Sequence, residues 1–157
     1  DAQESRGLGD VYKRQIGNPY VNPHVNRPFD QGPYDPPEDP LVGVARMADC
    51  IATVTEAFPD LAVIASGMSY LRQLSPCFAA GMVAQKGVAM AGFGREAFAY
   101  PSFAGDILKT GQMDTKKCCI ACGKCTELMR MGQRAGCVVR DSAIYAPFYR
   151  EGKESMK

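Results

Sequence analysis

The chain has little that would tie it to a membrane, a nucleic acid or an export route. Its longest apolar stretch, Leu61 to Ala65, falls far short of the roughly 20 residues of a membrane span. Lysine and arginine number 18 against 17 aspartates and glutamates. That balance leaves no basic surplus for a phosphate backbone, so nucleic acid is not expected as a partner. The sequence as given opens with no basic-then-apolar leader, which sets the expectation of a cytoplasmic, reducing setting. What remains is ordinary for a globular chain of 157 residues, 46% hydrophobic and 22% charged, a length suited to one domain.

Cysteine breaks this ordinariness. There are seven, and five crowd together as Cys118, Cys119, Cys122, Cys125 and Cys137. Without an export signal, such clustering points to metal more than to disulfides, and an odd count with an adjacent pair suits a disulfide framework poorly. Cys119, Cys122, Cys125 and Cys137 read as C-x2-C-x2-C-x11-C. Three thiolates at this spacing can hold three corners of a cubane, and a remote fourth completes it. Zinc more often uses two separated pairs, so iron–sulfur is preferred, with zinc and mixed thiols as the alternatives. Gly123 suits a tight loop because glycine accepts positive φ. Lys116, Lys117, Lys124, Arg130 and Arg134 would favour a negatively charged cluster, unless they are simply solvated. Cys118 could replace Cys119 as ligand, but the spacing favours Cys119. Cys50 and Cys77 fall in helical patterns and read as small buried hydrophobes.

Residues 1–15 are polar and without period. Gly9 to Gln15 looks like a translated sequencing-adapter remnant, so this segment is expected to be a non-native or disordered tail that leads into no element. Ile16 to Asp39 is dense in proline and reads as a long functional loop without helix or central strand. A helix follows, capped by Asp39 with Pro40 in its first turn, whose inner face is read as Leu41, Val44, Ala45, Ala48, Ile51, Ala52 and Phe58. Leu61 to Ala65 reads as a buried parallel strand. After Ser66-Gly67-Met68-Ser69 come a short helical piece and a helix from Ser75, its cap, to Gly87. A second strand, Val88 to Ala91, leads to the turn Gly92-Phe93-Gly94-Arg95 and a helical stretch ending at Gly111. This order is that of βαβ units in an α/β fold, of which the strands here form only a piece.

Both glycine turns follow parallel strands, where α/β folds place ligands, and β/α barrels often bind phosphate there. Gly67 and Gly94 would let a phosphate approach the backbone, and Arg95 offers a planar fork of donors.

The run Gly92-Phe93-Gly94-Arg95-Glu96-Ala97-Phe98-Ala99-Tyr100-Pro101, with the cysteine segment ending in Gly136-Cys137-Val138-Val139-Arg140-Asp141, resembles the iron–sulfur branch of the old yellow enzyme family. These are NADH:flavin oxidoreductases related to 2,4-dienoyl-CoA reductase and trimethylamine dehydrogenase. The likeness runs from about Ile16 to Tyr149. It implies the C-terminal part of a TIM (β/α)8 barrel over 16–112, an iron–sulfur segment over 113–149 and a polar tail over 150–157. It further implies that Ser66, Gly67, Met68, Gly94 and Arg95 cradle the phosphate of FMN. A 4Fe-4S cluster would be held by Cys119, Cys122, Cys125 and Cys137. The proline-rich loop with Tyr20, His24 and Arg27 would border the substrate mouth. His24, the only histidine, is a weak catalytic candidate, since loop histidines are more often structural.

The resemblance therefore implies an FMN- and 4Fe-4S-dependent oxidoreductase. It would take hydride from NAD(P)H and reduce a small-molecule acceptor such as an unsaturated carbonyl. No membrane partner is implied, and assembly into a homo-oligomer is left open. The first five strands of such a barrel are absent, so the chain by itself is expected to be inactive. A non-catalytic iron–sulfur or zinc binding module is the alternative.

Overall fold

The computed structural model describes residues 11–14, 18, 21–30 and 34–156; Tyr20, Pro19 and Pro33 lie outside them. Three short strands form one parallel sheet in the order β1 (Val11–Arg14), β2 (Ala62–Ser66), β3 (Met90–Gly92). Val11 to Arg14 pair with Ala62 to Ala65, and Ile64 to Ser66 pair with Met90 to Gly92. The sequence expectation placed no element before Ile16, and β1 corrects it. β2 is the central strand, and its edge away from β3 is the ladder that β1 joins. Three strands leave the wider barrel architecture open.

Between β1 and β2 lie α1 (Pro23–Asn26) and α2 (Pro40–Ala57). The single turn α1 stands where proline density argued against any helix. Pro23 occupies its first turn, the one place where proline's missing N–H costs nothing. At α2 the Asp39 carboxylate accepts from the Leu41 N–H at 2.8 Å, and Pro40 follows as the first helical residue. The buried stripe of α2 is Val44, Met47, Ile51, Ala52 and Thr55, and Leu41, Ala45 and Phe58 are exposed. The expected face was thus rotated. Met47 and Thr55 complete the helical period, while Leu41 and Phe58 sit at its capped ends and face solvent.

β2 carries Val63 and Ala65 into the core, each with 0% exposure, and Ala62 and Ile64 are only half-covered. Opposite the strand, Met47, Ile51, Met68, Ala79, Met82 and Val88 close one apolar cluster. Each fully buried aliphatic side chain there contributes about 1.5–3 kcal/mol. A 3-10 segment, Met68–Leu74, links β2 to α3 (Ser75–Lys86). Ser75 is the first residue of α3 rather than its cap, and its hydroxyl donates to the Met68 carbonyl at 2.9 Å. Only Ser75, Ala79 and Met82 of α3 are buried. Cys77 falls on the opposite face and is exposed, and Cys50 is half-buried. The reading of both as core residues is corrected accordingly.

After β3 the expected single helical stretch is two helices, α4 (Gly94–Ala99) and α5 (Phe103–Thr110). Pro101 forces the break, because the residue before proline is driven out of helical backbone, and Tyr100 has φ −147° and ψ 68°. The cysteine segment adds α6 (Lys124–Arg130) and α7 (Ser142–Ser155). The expected polar tail over 150–157 is largely the last turns of α7. Lys153 Nζ stands 2.7 Å from Glu127 Oε2 on α6, and Tyr149 donates to the same oxygen at 2.8 Å. No helix among the described residues is long and apolar enough to cross a membrane.

Candidate metal centre

Cys119, Cys122, Cys125 and Cys137 line one recess, together with Arg95 and Arg140. All four thiols are free. Cys119 is buried, and the other three are half-buried. Cys118 turns the other way, into a small apolar cluster with Tyr100 and Met113, where its thiol donates to the Asp114 carbonyl at 3.3 Å. Of the adjacent pair, then, Cys119 is the one that faces the recess.

Local backbone explains how the thiols come to share a wall. Gly123 caps α6 with φ +76°, the left-handed turn that glycine makes without strain. Cys122 and Cys125 flank this turn. Ala121 also has positive φ, at 57°, a conformation that costs an alanine about 1–2 kcal/mol. Two backbone amides point at cysteine sulfurs. Ala121 N–H donates to Cys119 Sγ at 3.4 Å, and Arg140 N–H donates to Cys137 Sγ at 3.3 Å. Hydrogen bonds of this kind stabilise metal-bound thiolates and adjust their potential.

Burial pushes the Cys119 thiol up to about 11, an effect that Arg95 partly opposes. Burial also raises Cys125, again against Arg95. As free thiols these groups therefore keep their protons at neutral pH, and a metal would have to displace them.

Two residues that sequence reasoning did not single out hold the segment in place. Glu96 on α4 is fully buried and accepts from the Cys119 N–H with both carboxylate oxygens at 3.1 Å. Burial raises its pKa, and the Cys119 N–H and the nearby arginines oppose that rise. Arg140 donates from Nε and Nη2 to the Cys118 carbonyl at 3.0 and 2.8 Å. No local pattern could have found Glu96, because its partner lies 23 positions away.

The cations differ from those expected. Lys124 lines the recess, but Lys117 is engaged with Asp106 at 3.4 Å and Asp114 at 3.8 Å. Arg134 lies over the Phe148 ring. Arg95 and Arg140 take their place.

The residues expected at a flavin phosphate are divided. The parallel strands β2 and β3 send both glycine turns out at the same end of the sheet. Gly67 has φ +100°, but the space beside its Cα is filled by the Met47 thioether. Packing against the core, rather than an approaching ligand, accounts for glycine there. Ser66 and Met68 are buried, and with Gly67 they line a small apolar pocket alongside Val44, Met47 and Phe78. Gly94 faces open space. Arg95 lines the cysteine recess, and its Nη1 is buried with no hydrogen-bond partner among the described residues.

His24 is tied to its own loop. Its Nδ1 lies 2.6 Å from the Tyr34 hydroxyl, its Nε2 lies 4.0 Å from Glu38, and it does not line the recess.

Among the described residues, no three Cys, His, Asp or Glu side chains are gathered within metal-binding reach. The four thiols share a recess without forming a closed ligand set. Their chemistry nonetheless fits a thiolate-bound group of net negative charge, since the recess supplies sulfur donors, two N–H···S bonds and a buried guanidinium nitrogen without a partner. Comparison with protein-family models, with curated proteins and with solved structures gives no match.

Proposed function

We propose that this chain binds an iron–sulfur cluster through Cys119, Cys122, Cys125 and Cys137, as the electron-transfer segment of an FMN-dependent, NAD(P)H-using oxidoreductase. The observation that carries the reading is the meeting of four free thiols at one recess with backbone N–H groups directed at two of their sulfurs. The x2-x2 triplet favours a cubane over a zinc tetrahedron. A cluster, when bound, would supply single-electron transfer. The protein's part is to hold the thiols, exclude water with Ala121 and Val138, and surround the charge with Arg95, Arg140 and Lys124.

The flavin part of the reading rests on the resemblance and on two glycine turns leaving the same end of the sheet. Reduction of an unsaturated carbonyl follows from that resemblance alone. A second reading, a cluster or zinc module without flavin, is favoured by Met47 filling the space at Gly67 and by Arg95 facing the thiols.

Visible spectroscopy with iron, zinc and flavin analysis separates these readings. Broad absorbance near 400 nm with bound iron is expected for the chain purified without air, and paired flavin bands would add FMN. A colourless, zinc-loaded protein would overturn the iron assignment. Cys125→Ser should abolish most iron binding, and full retention of iron would remove Cys125 from the ligand set.

A further inference from the structure

Arg27 sits on the proline-rich segment, far in sequence from the cysteines, yet its guanidinium reaches Thr126, the neighbour of Cys125. Its Nη1 donates to the Thr126 hydroxyl, across 99 positions of chain, next to Cys125. Its Nε is buried with no hydrogen-bond partner among the described residues, and the same holds for Arg95 Nη1. Arg27 and Arg95 are close enough for their charges to repel. Burial, then Arg95, lowers the Arg27 pKa, and Arg130 acts in the same direction, while Cys125 and Tyr34 oppose them.

Two half-buried guanidiniums within Coulombic range of each other are unfavourable unless an anion lies between or beside them. The buried Glu96 carboxylate, which accepts from the Cys119 N–H, faces Arg95 and Arg140, and it is not among the charges that act on Arg27. The thiols are neutral while protonated, so they relieve the repulsion only when a metal makes them thiolates.

We propose that Arg27 is a charge-setting residue of the cysteine recess, acting with Arg95 to favour the more reduced state of a thiolate-bound iron–sulfur cluster. This rests on the cluster reading given above. The physical basis is that reduction adds negative charge, and a nearby fixed cation in a poorly solvated site stabilises the added electron. A charge delivered from the proline-rich segment also means that the cysteine segment alone would hold a lower potential than the docked chain.

The test is a redox titration of the 157-residue chain, loaded anaerobically with ferrous iron and sulfide and followed by visible absorbance and electron paramagnetic resonance. Arg27→Gln should keep its iron and shift the midpoint to a more negative potential, and Arg27→Lys should recover most of that shift. An iron-loaded Arg27→Gln with an unmoved midpoint overturns the proposal. Where Arg27→Gln takes up no iron, Arg27→Lys decides. A midpoint near the parent's supports the charge role, whereas loss of iron in the lysine variant too assigns Arg27 to the fold and overturns it. A parent chain that takes up no iron overturns the cluster reading itself, a result distinct from an unmoved midpoint.

Discussion

The strand–helix region between Pro40 and Ala99 and the cysteine segment after Met113 are built on different physics. The first closes around a continuous apolar cluster contributed by α2, β2, the 3-10 turn and α3. The second contributes only Cys118 to a far smaller cluster, which it shares with Tyr100 and Met113. It relies on directed polar links: Glu96 to Cys119, Arg140 to Cys118, and Lys153 and Tyr149 to Glu127. Burial of apolar area is nondirectional and tolerates small errors, whereas a polar link loses most of its value when one partner is removed. The strand–helix region therefore depends less on any one contact, and the cysteine segment gains the most from an added staple such as a metal.

The sharpest way to break this contrast is to cut the apolar core. Ile51, 1% exposed, packs in the main cluster, and Ile51→Ala should cost about 2–5 kcal/mol. Urea denaturation should show the whole transition moving to lower denaturant. A loss under about 1 kcal/mol would mean that the core is too loose for the contrast to hold.

A smaller and more local effect is expected from Glu96→Ala, which leaves the buried Cys119 N–H without its acceptor. The cost is about 1–3 kcal/mol. Hydrogen exchange should quicken at Cys119 and its neighbours while α2 keeps its protection. Equal loosening of α2 would show that the two regions open as one unit.

The smallest effect tests the polar periphery of the first region. The hydrogen bond from Arg46 holds the Glu38 carboxyl below its usual value of 4.5, burial opposes this, and Arg46's charge adds to it. A carboxyl depressed in the folded state binds fewer protons there than in the unfolded chain. Its contribution is therefore present above about pH 4.5 and fades as the pH falls through the folded value. Glu38→Gln should lower stability slightly at neutral pH, leave it nearly unchanged in strong acid, and so flatten the acid limb of the stability–pH profile. An acid limb identical to the parent's would remove this pair from the account.

How far the sequence could be read follows the same divide. The Asp39 cap, Pro40 and the glycine stops at Gly87 and Gly111 are local signals that the structure has, and the apolar strand read at Leu61–Ala65 lies one residue later, at Ala62–Ser66. The four cysteines that the spacing grouped line one recess, and the turn between Cys122 and Cys125 is local as well, whereas Cys137 arrives from farther along the chain. Misreadings arose where the third dimension decides. Cys77 and Leu41 are apolar by type, but their helix faces point outward. The Pro101 break was passed over within a helical period. The role of Glu96, the docking of Arg27 and the use of Gly67 by Met47 all depend on partners from other elements. A linear pattern carries no trace of them.

The bond between Arg27 and Thr126 also bears on the order in which the molecule assembles. Closing a loop of 99 residues is entropically slower than forming any helix or hairpin along the way. Its two partners lie on the proline-rich segment and on α6, so the link needs both in place to persist. The link is therefore a late-forming latch, and its closure would serve as a kinetic marker that both ends of the chain have arrived.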